Sequence, residues 1–304
     1  MCGIAGLYTK SPALRAQLGA GLATMLEQLS MRGPDSAGVA FYREPVSEGC
    51  CKVSLFSPAA TTDWEGLAAE LGRAFGAAGG RAPQVRATHA VLSIPTEAAT
   101  AQVWLAEHHP ELTVMSAGRV IEIYKEAGSP REFVRRFALH ELAGSHALGH
   151  TRMATESRVT TDHSHPFSTG LDLCLVHNGS LSNHNRLRRA LRREGIQFRT
   201  DCDSEVAAGY LTWRMREGAS LEQALEACLE DLDGFYTFAV GTAEGFAVLR
   251  DPIACKPAVM AETDEWVAIA SEYRAIAVLP GAQDAVTWEP EPGHVYSWGM
   301  AAVA

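Results

Sequence analysis

The chain has 304 residues, 47% of them hydrophobic and 20% charged, with 26 Lys and Arg against 36 Asp and Glu for a net charge of −10. A globular chain of this length buries about 75% of the surface its unfolded form exposes, enough for one large domain or two modest ones. The acidic balance argues against nucleic acid or an anionic membrane as the main partner.

No apolar run reaches the ~18 to 20 residues of a membrane span. Residues 1–8 lack the basic and apolar regions of a secretory leader, so the expected location is the cytoplasm. The seven cysteines (Cys2, Cys50, Cys51, Cys174, Cys202, Cys228, Cys255) are odd in number and include no Cys-x-x-Cys. That excludes a disulfide framework and offers no zinc or iron–sulfur ligand set. Most read as small buried hydrophobes; Cys2 is set apart by its position.

In chain order, 3–8 reads as a short buried strand. Leu14, Leu18, Leu22, Met25, Leu26 and Leu29 then recur at helical spacing up to the turn Arg32-Gly33-Pro34-Asp35. Residues 38–42 read as a second strand. The stretch from about 45 to 147 reads as an insertion, with helices over 64–75 and 130–142 and strands over 85–94, 113–116 and 120–124. The core resumes with a strand ending near Thr151, a loop rich in Ser, Thr, His and Asp, and a strand over 171–177. Helices follow over 183–194, 204–216 and 221–232, the last opened by the capping box Ser220-Leu221-Glu222-Gln223. Beyond Phe235, apolar runs over 236–241, 246–250, 257–261 and 266–270 alternate with turn residues and read as a β-meander. Strands, then helices, then strands point to an α+β layered protein rather than a parallel βαβ fold. No Gly-x-Gly-x-x-Gly follows a strand and no Walker loop occurs, so neither dinucleotide nor ATP binding has support.

A cysteine after the initiator Met is commonly incidental. It also allows specific chemistry. Met1 is readily removed before a small residue, which would leave Cys2 with a free α-amine of pKa ~7.7 to 8.0. Thiol and base then share one residue, the logic of N-terminal nucleophiles activated by their own amine. Five ordered segments accompany it: Arg32-Gly33-Pro34-Asp35-Ser36-Ala37-Gly38, Gly149-His150-Thr151-Arg152-Met153-Ala154-Thr155, His177-Asn178-Gly179-Ser180-Leu181, Thr200-Asp201-Cys202-Asp203-Ser204-Glu205-Val206, and Arg250-Asp251-Pro252-Ile253-Ala254-Cys255-Lys256-Pro257. With Met1-Cys2-Gly3-Ile4-Ala5-Gly6 at the start and Ala270-Ser271-Glu272 near the end, the chain resembles the class II glutamine amidotransferases.

That resemblance implies one domain over residues 2–304, a four-layer αββα sandwich of the N-terminal nucleophile hydrolase type. It also implies roles. Cys2 would attack the glutamine side-chain amide and form a γ-glutamyl thioester, with Asn178 and Gly179 as the oxyanion hole. Two preorganised donors suit that task, although read alone Asn178-Gly179 is a turn pair. Arg152 would hold the α-carboxylate of glutamine and Asp203 its α-ammonium. Read alone, they fit a surface ion pair or, for Asp203, a helix cap; Asp201 is the neighbouring competitor. Arg32 and Thr155 complete the expected substrate-binding set, and Asp35 is expected to shape the pocket or simply its turn.

His163 and His165 tempt a metal reading, but their spacing is poor for a tetrahedral site and no third or fourth ligand is evident, so no metal is expected. His165-Pro166 reads as architectural and His177 as a packed strand-end residue. Glu156 and Ser157 depart from the Trp-Ala-Thr-His-Gly pattern usual in the sugar-phosphate and nucleotide-forming members, which argues against the hexosamine-forming branch.

The resemblance extends to the free-standing amidotransferase subunits of glutamate synthase-like enzymes, N-methylglutamate synthase among them. It implies no cofactor in this chain, with FMN and iron–sulfur clusters in separate synthase subunits that receive the nitrogen of glutamine. Two further readings stay open: a stand-alone hydrolase of γ-glutamyl amides, and a non-catalytic regulatory or scaffold subunit.

Overall fold

The computed structural model describes residues 1–59, 61–76, 82–154 and 158–299. The first half of the chain runs β1 (Gly3–Thr9), α1 (Leu18–Gln28), β2 (Ser36–Tyr42), β3 (Cys51–Phe56), α2 (Trp64–Phe75), β4 (Gln84–Arg86), β5 (His89–Ile94), α3 (Ala98–His108), β6 (Thr113–Gly118), β7 (Ile121–Ala127), α4 (Pro130–Arg136) and β8 (His146–Arg152). The second runs β9 (Cys174–Leu181), α5 (His184–Arg193), α6 (Asp203–Arg216), α7 (Leu221–Asp231), β10 (Gly234–Gly241), β11 (Phe246–Arg250), β12 (Val259–Glu262), β13 (Trp266–Ala270), α8 (Tyr273–Ile276), β14 (Val286–Trp288) and β15 (Val295–Trp298).

Side chains alternate across a strand, and here both faces of both main sheets are buried. A seven-stranded sheet of order β14-β12-β13-β1-β8-β2-β7 is antiparallel throughout. One face, carrying Ala5, Leu7, Val39, Phe41, Ala147 and Ala268, packs with Leu22, Met25 and Leu26 of α1 and with Phe133 of α4. The opposite face sends Ile4, Ala40, Tyr42, Leu148, Val267 and Ile269 toward a four-stranded sheet, β15-β11-β10-β9, which answers with Cys174, Val176, Ala239, Phe246 and Val248. The outer face of that second sheet, with Leu175, Phe238, Val240 and Leu249, is covered by Val206, Leu211, Leu225 and Cys228 of α6 and α7. Helix, sheet, sheet and helix thus form the four-layer αββα sandwich of the N-terminal nucleophile hydrolases.

The segment expected as a single insertion over 45–147 divides in two. Residues 51–118 build a satellite sheet, β4-β5-β3-β6, with α2 and α3 packed on a core of their own around Val53, Leu55, Leu67, Leu71, Leu92 and Leu105. By contrast β7 pairs with β2 along its whole length, and α4 contributes to the main helical layer, so both belong to the sandwich. The strand expected over 85–94 is a hairpin, turned at Ala87 with φ +50°. The helix expected over 130–142 stops at Arg136, because Ala138 takes a left-handed φ of +46°. The expected meander is split between sheets: β10 and β11 pair with each other and with β9 and β15, while β12 and β13 join the larger sheet beside β1. A period-2 pattern identifies a strand but not its partner.

Candidate active site

The alternation that builds the core also builds the site. Just before β1, Cys2 has the parity of Ile4; on β8, His150 and Arg152 share the face of Leu148; on β9, Asn178 shares that of Val176; just after β13, Ser271 has the parity of Ile269. All five point into the gap between the sheets. The gap is apolar in its middle and polar at one end, where the strands run out.

Cys2 is half-buried there. Its Sγ accepts the Met153 backbone N–H at 3.3 Å. Asn178, buried, donates from Nδ2 to the Cys2 carbonyl at 3.2 Å and to Ser271 Oγ at 3.0 Å. Ser271 Oγ also receives the Ile4 N–H at 2.9 Å, and the Ser271 N–H returns a bond to the Ile4 carbonyl at 3.0 Å. The segment that carries the thiol is therefore tied on both sides before any substrate binds. Gly179 is exposed at φ +151°, and a Cβ there would lie 2.0 Å from the Phe235 carbonyl, so only glycine fits. The strand expected to end at His177 runs on to Leu181, which makes Asn178-Gly179 part of β9 rather than a free turn.

Arg32 is placed differently from an expected ligand of substrate. Its Nε donates to the Cys2 carbonyl and its Nη1 to Glu272 Oε1, both at 2.6 Å. It holds the backbone of Cys2. Glu272 is also paired with Arg274 at 2.6 Å. Gly33 permits this turn because a Cβ would meet the Thr151 carbonyl at 2.3 Å. Asp35 accepts the Ala154 N–H at 2.8 Å and fixes the chain leaving β8.

Arg152 is buried, with Nη1 on the Arg158 carbonyl at 2.9 Å. Burial pushes the Cys202 thiol up, and the Thr200 hydrogen bond and then the Arg152 charge act on it in the opposite sense. Asp203 begins α6, where a carboxylate is favoured. Its Oδ2 accepts the Leu181 N–H at 2.9 Å and its Oδ1 the Ser204 hydroxyl at 3.2 Å. Asp201, by contrast, is 82% exposed and pairs with His163 Nε2 at 2.9 Å. A charge of each sign thus stands beside the polar end of the gap. Thr155, with Glu156 and Ser157, lies outside the described residues.

Three buried histidines back the site. His150 stacks on His165 at 4.1 Å between ring centroids, and His165 Nδ1 accepts the His177 N–H at 3.3 Å. Burial drives His150 down to about 3, and burial first, then neighbouring charge, drives His165 well below the usual range. Burial also outweighs Asp203 in lowering His177, so the 3.9 Å approach between those two is not an ion pair. His177 Nδ1 instead meets Ser204 Oγ at 2.9 Å. Among the described residues, His163, Asp201 and Cys202 bring three donor atoms within 4.8 Å of one another, a set that excludes His165. The sequence marked His150 and Ser271 only as members of motifs; strand parity with Arg152 and Ile269 is the signal that would have aimed them at the site.

A half-buried thiol beside amide donors, flanked by fixed charges of both signs, is arranged for acyl transfer from a zwitterionic substrate. The relatives of the chain agree. Residues 150–278 match the family model described as a glutamine amidotransferase domain. The chain is 54% identical over 299 residues to the glutamine amidotransferase-like protein GlxB of Rhizobium meliloti (strain 1021), covering 98% of each. It is 35% identical over 143 residues to an amidophosphoribosyltransferase of Archaeoglobus fulgidus, covering 46% of this chain and 31% of that one. The solved glutamine phosphoribosylpyrophosphate amidotransferase from B. subtilis shares the fold, with a TM-score of 0.62 at 20% identity over 97% of this chain and 47% of that chain. Similarity of this extent, on a sandwich of this design, makes the chain a member of the class II glutamine amidotransferases, an enzyme of the N-terminal nucleophile fold.

Proposed function

We propose that Cys2, freed of Met1, attacks the side-chain carbonyl carbon of glutamine. Its α-amine takes the thiol proton and delivers it to the departing nitrogen, which leaves as ammonia. The tetrahedral oxyanion is held by Asn178 Nδ2 and the Gly179 N–H. Water then cleaves the γ-glutamyl thioester to release glutamate. Arg152 receives the α-carboxylate and Asp203 the α-ammonium. Arg32 and Asp35 act one step back, through the Cys2 carbonyl and the chain after β8. The observation that carries this reading is the 3.2 Å approach of the Asn178 amide to Cys2 across the two sheets. With Met1 in place the Cys2 nitrogen is an amide and no base, so removal of Met1 is part of the reading.

The nitrogen acceptor belongs, in this reading, to a separate synthase polypeptide of the glutamate synthase-like kind, N-methylglutamate synthase included, carrying FMN and iron–sulfur clusters. One observation supports it. Met31, beside Arg32, and Met153, whose N–H meets Cys2 Sγ, are 84% and 45% exposed, an apolar rim suited to a docked protein.

Purification of the tagged chain from its own cell tests the partner, and Cys2→Ala tests the chemistry. The expected result is a stoichiometric flavin or iron–sulfur subunit, with glutamine hydrolysis in the wild-type complex. Cys2→Ala should lose that hydrolysis by on the order of 10⁴-fold or more. A chain that purifies alone yet cleaves γ-glutamyl amides would make it a free-standing hydrolase, and hydrolysis persisting in Cys2→Ala would remove Cys2 as nucleophile.

A further inference from the structure

The two ends of a carboxamide look alike in shape and opposite in hydrogen bonding. An oxyanion hole needs the nitrogen end of Asn178 turned to the nucleophile. The Asn178 amide has contacts on both ends: Nδ2 on the Cys2 carbonyl and Ser271 Oγ, Oδ1 on His150 Nε2 at 3.1 Å. His150 Nε2 also faces the His177 carbonyl at 3.2 Å. Both neighbours of that nitrogen are oxygens, so it carries the proton and the ring is the Nε2–H tautomer. Turning Asn178 over would set an N–H against the His150 N–H, and its Oδ1 against the Cys2 carbonyl. The nitrogen-inward orientation is the one that satisfies every partner.

From this geometry we infer that His150 is a positioning residue for the glutaminase reaction: its Nε2–H pins Oδ1 of Asn178 so that Nδ2 stays on the side of Cys2, where the proton it gives the Cys2 carbonyl can pass to the tetrahedral oxyanion. The inference rests on the oxyanion role given to Asn178 above.

The surroundings hold His150 to that tautomer and orientation. Its ring is buried, stacked on His165, and its Nδ1 has no partner among the described residues. His165 is itself oriented, with Nδ1 accepting the His177 N–H and Nε2 facing Ser204 Oγ at 3.3 Å. The loop bearing His165 is gripped by the buried ammonium of Lys125, which donates to the Ser164 carbonyl at 2.8 Å and the Asp162 carbonyl at 3.2 Å. His150 remains neutral through the whole range in which a glutaminase works, as burial keeps it at about 3. Its single ring proton is therefore always present and always on the side of Asn178.

The test compares His150→Gln with His150→Met. The two are matched in length, and only Gln has an N–H to offer Oδ1. Glutamine hydrolysis should lose about 100-fold in kcat in the Met variant, the scale of one lost oxyanion donor, with KM within about threefold; the Gln variant should recover most of it. A second readout needs no turnover. A glutamine-shaped diazoketone alkylates the thiol with its ketone oxygen in the oxyanion position, whereas iodoacetamide needs no such donor. In His150→Met, labelling of Cys2 by the diazoketone should slow while iodoacetamide labelling keeps its wild-type rate. Equal slowing with both reagents, no slowing with either, or a defect that Gln does not repair overturns the inference. If His150→Met does not fold, His150→Phe, which keeps the stack on His165, takes its place. Wild-type enzyme whose Cys2 resists the diazoketone would instead count against the proposed function itself.

Discussion

Two clusters of buried polar groups in this chain do different things. At the joint between satellite and sandwich, the buried Glu122 carboxylate receives Lys52 Nζ at 3.0 Å, Arg43 Nη1 at 2.9 Å and the Tyr124 hydroxyl at 3.0 Å. Burial pushes Glu122 up, but the two cations outweigh it and hold the carboxyl below its usual range. At the open end of the sandwich, Asn178, His150 and Ser271 are held by neutral hydrogen bonds, the Cys2 carbonyl also takes Arg32 Nε, and two ring nitrogens there, His150 Nδ1 and His177 Nε2, have no partner among the described residues. The joint satisfies its charges; the site leaves two ring nitrogens without a partner among the described residues.

Substitution can break each side separately. Glu122→Ala leaves Lys52 buried without its counter-charge and should cost about 3 to 5 kcal/mol of stability. The denaturant midpoint should fall while glutamine turnover per folded molecule stays at the wild-type value; a parallel loss of turnover would show the joint to be part of the site. Asn178→Ala should do the reverse, lowering kcat by about 10²- to 10³-fold, or roughly 2.7 to 4 kcal/mol in activation free energy. Its thermal midpoint should move far less than that of Glu122→Ala, and a variant that unfolds instead would make Asn178 a structural residue.

The smallest effect sharpens the comparison because each region contributes a buried histidine. His150 at the site is driven to about 3 by burial, and His89 in the satellite sheet to about 3 by burial and then by Lys125. Unfolded imidazoles take up protons near pH ~6.5. Below that value the unfolded chain binds protons the folded chain refuses, so stability is full above about pH 6.5 and falls as the medium is acidified toward the folded values. The slope is about 1.4 kcal/mol per histidine per pH unit. Urea midpoints at pH 7 and 5.5 should differ accordingly, and His89→Gln should flatten the difference by one histidine's share. An unchanged midpoint would show that these rings are not held neutral.

Much of the fold was legible locally. Helices α1, α2, α5, α6 and α7 fall where their apolar spacing and the Ser220 capping box put them. Helix α3 escaped because its buried stripe is Ala98, Ala101 and Leu105, nearly without large apolar contrast, while Val103 points to solvent. The edge of the satellite was misjudged because β7 declares its allegiance only by pairing with β2 across 80-odd residues of chain, which periodicity does not encode. At the site, Cys2, Asn178, Arg152 and Asp203 were named by motif. Arg32 was named with them, yet its guanidinium is spent on the Cys2 carbonyl and Glu272.

The sequence by itself determined the position of Cys2, the order of the motifs, the acidic net charge and most helices, since these depend on residue type and on neighbours a few positions away. The tertiary structure alone decided which sheet each strand joined and which end of the gap stayed polar. It alone also decided which end of the Asn178 amide faces the Cys2 carbonyl. The reason is distance along the chain: Asn178 meets Cys2 across 176 residues and Ser271 across 93. Such partners are chosen by packing the sheets, not by anything their own segments specify.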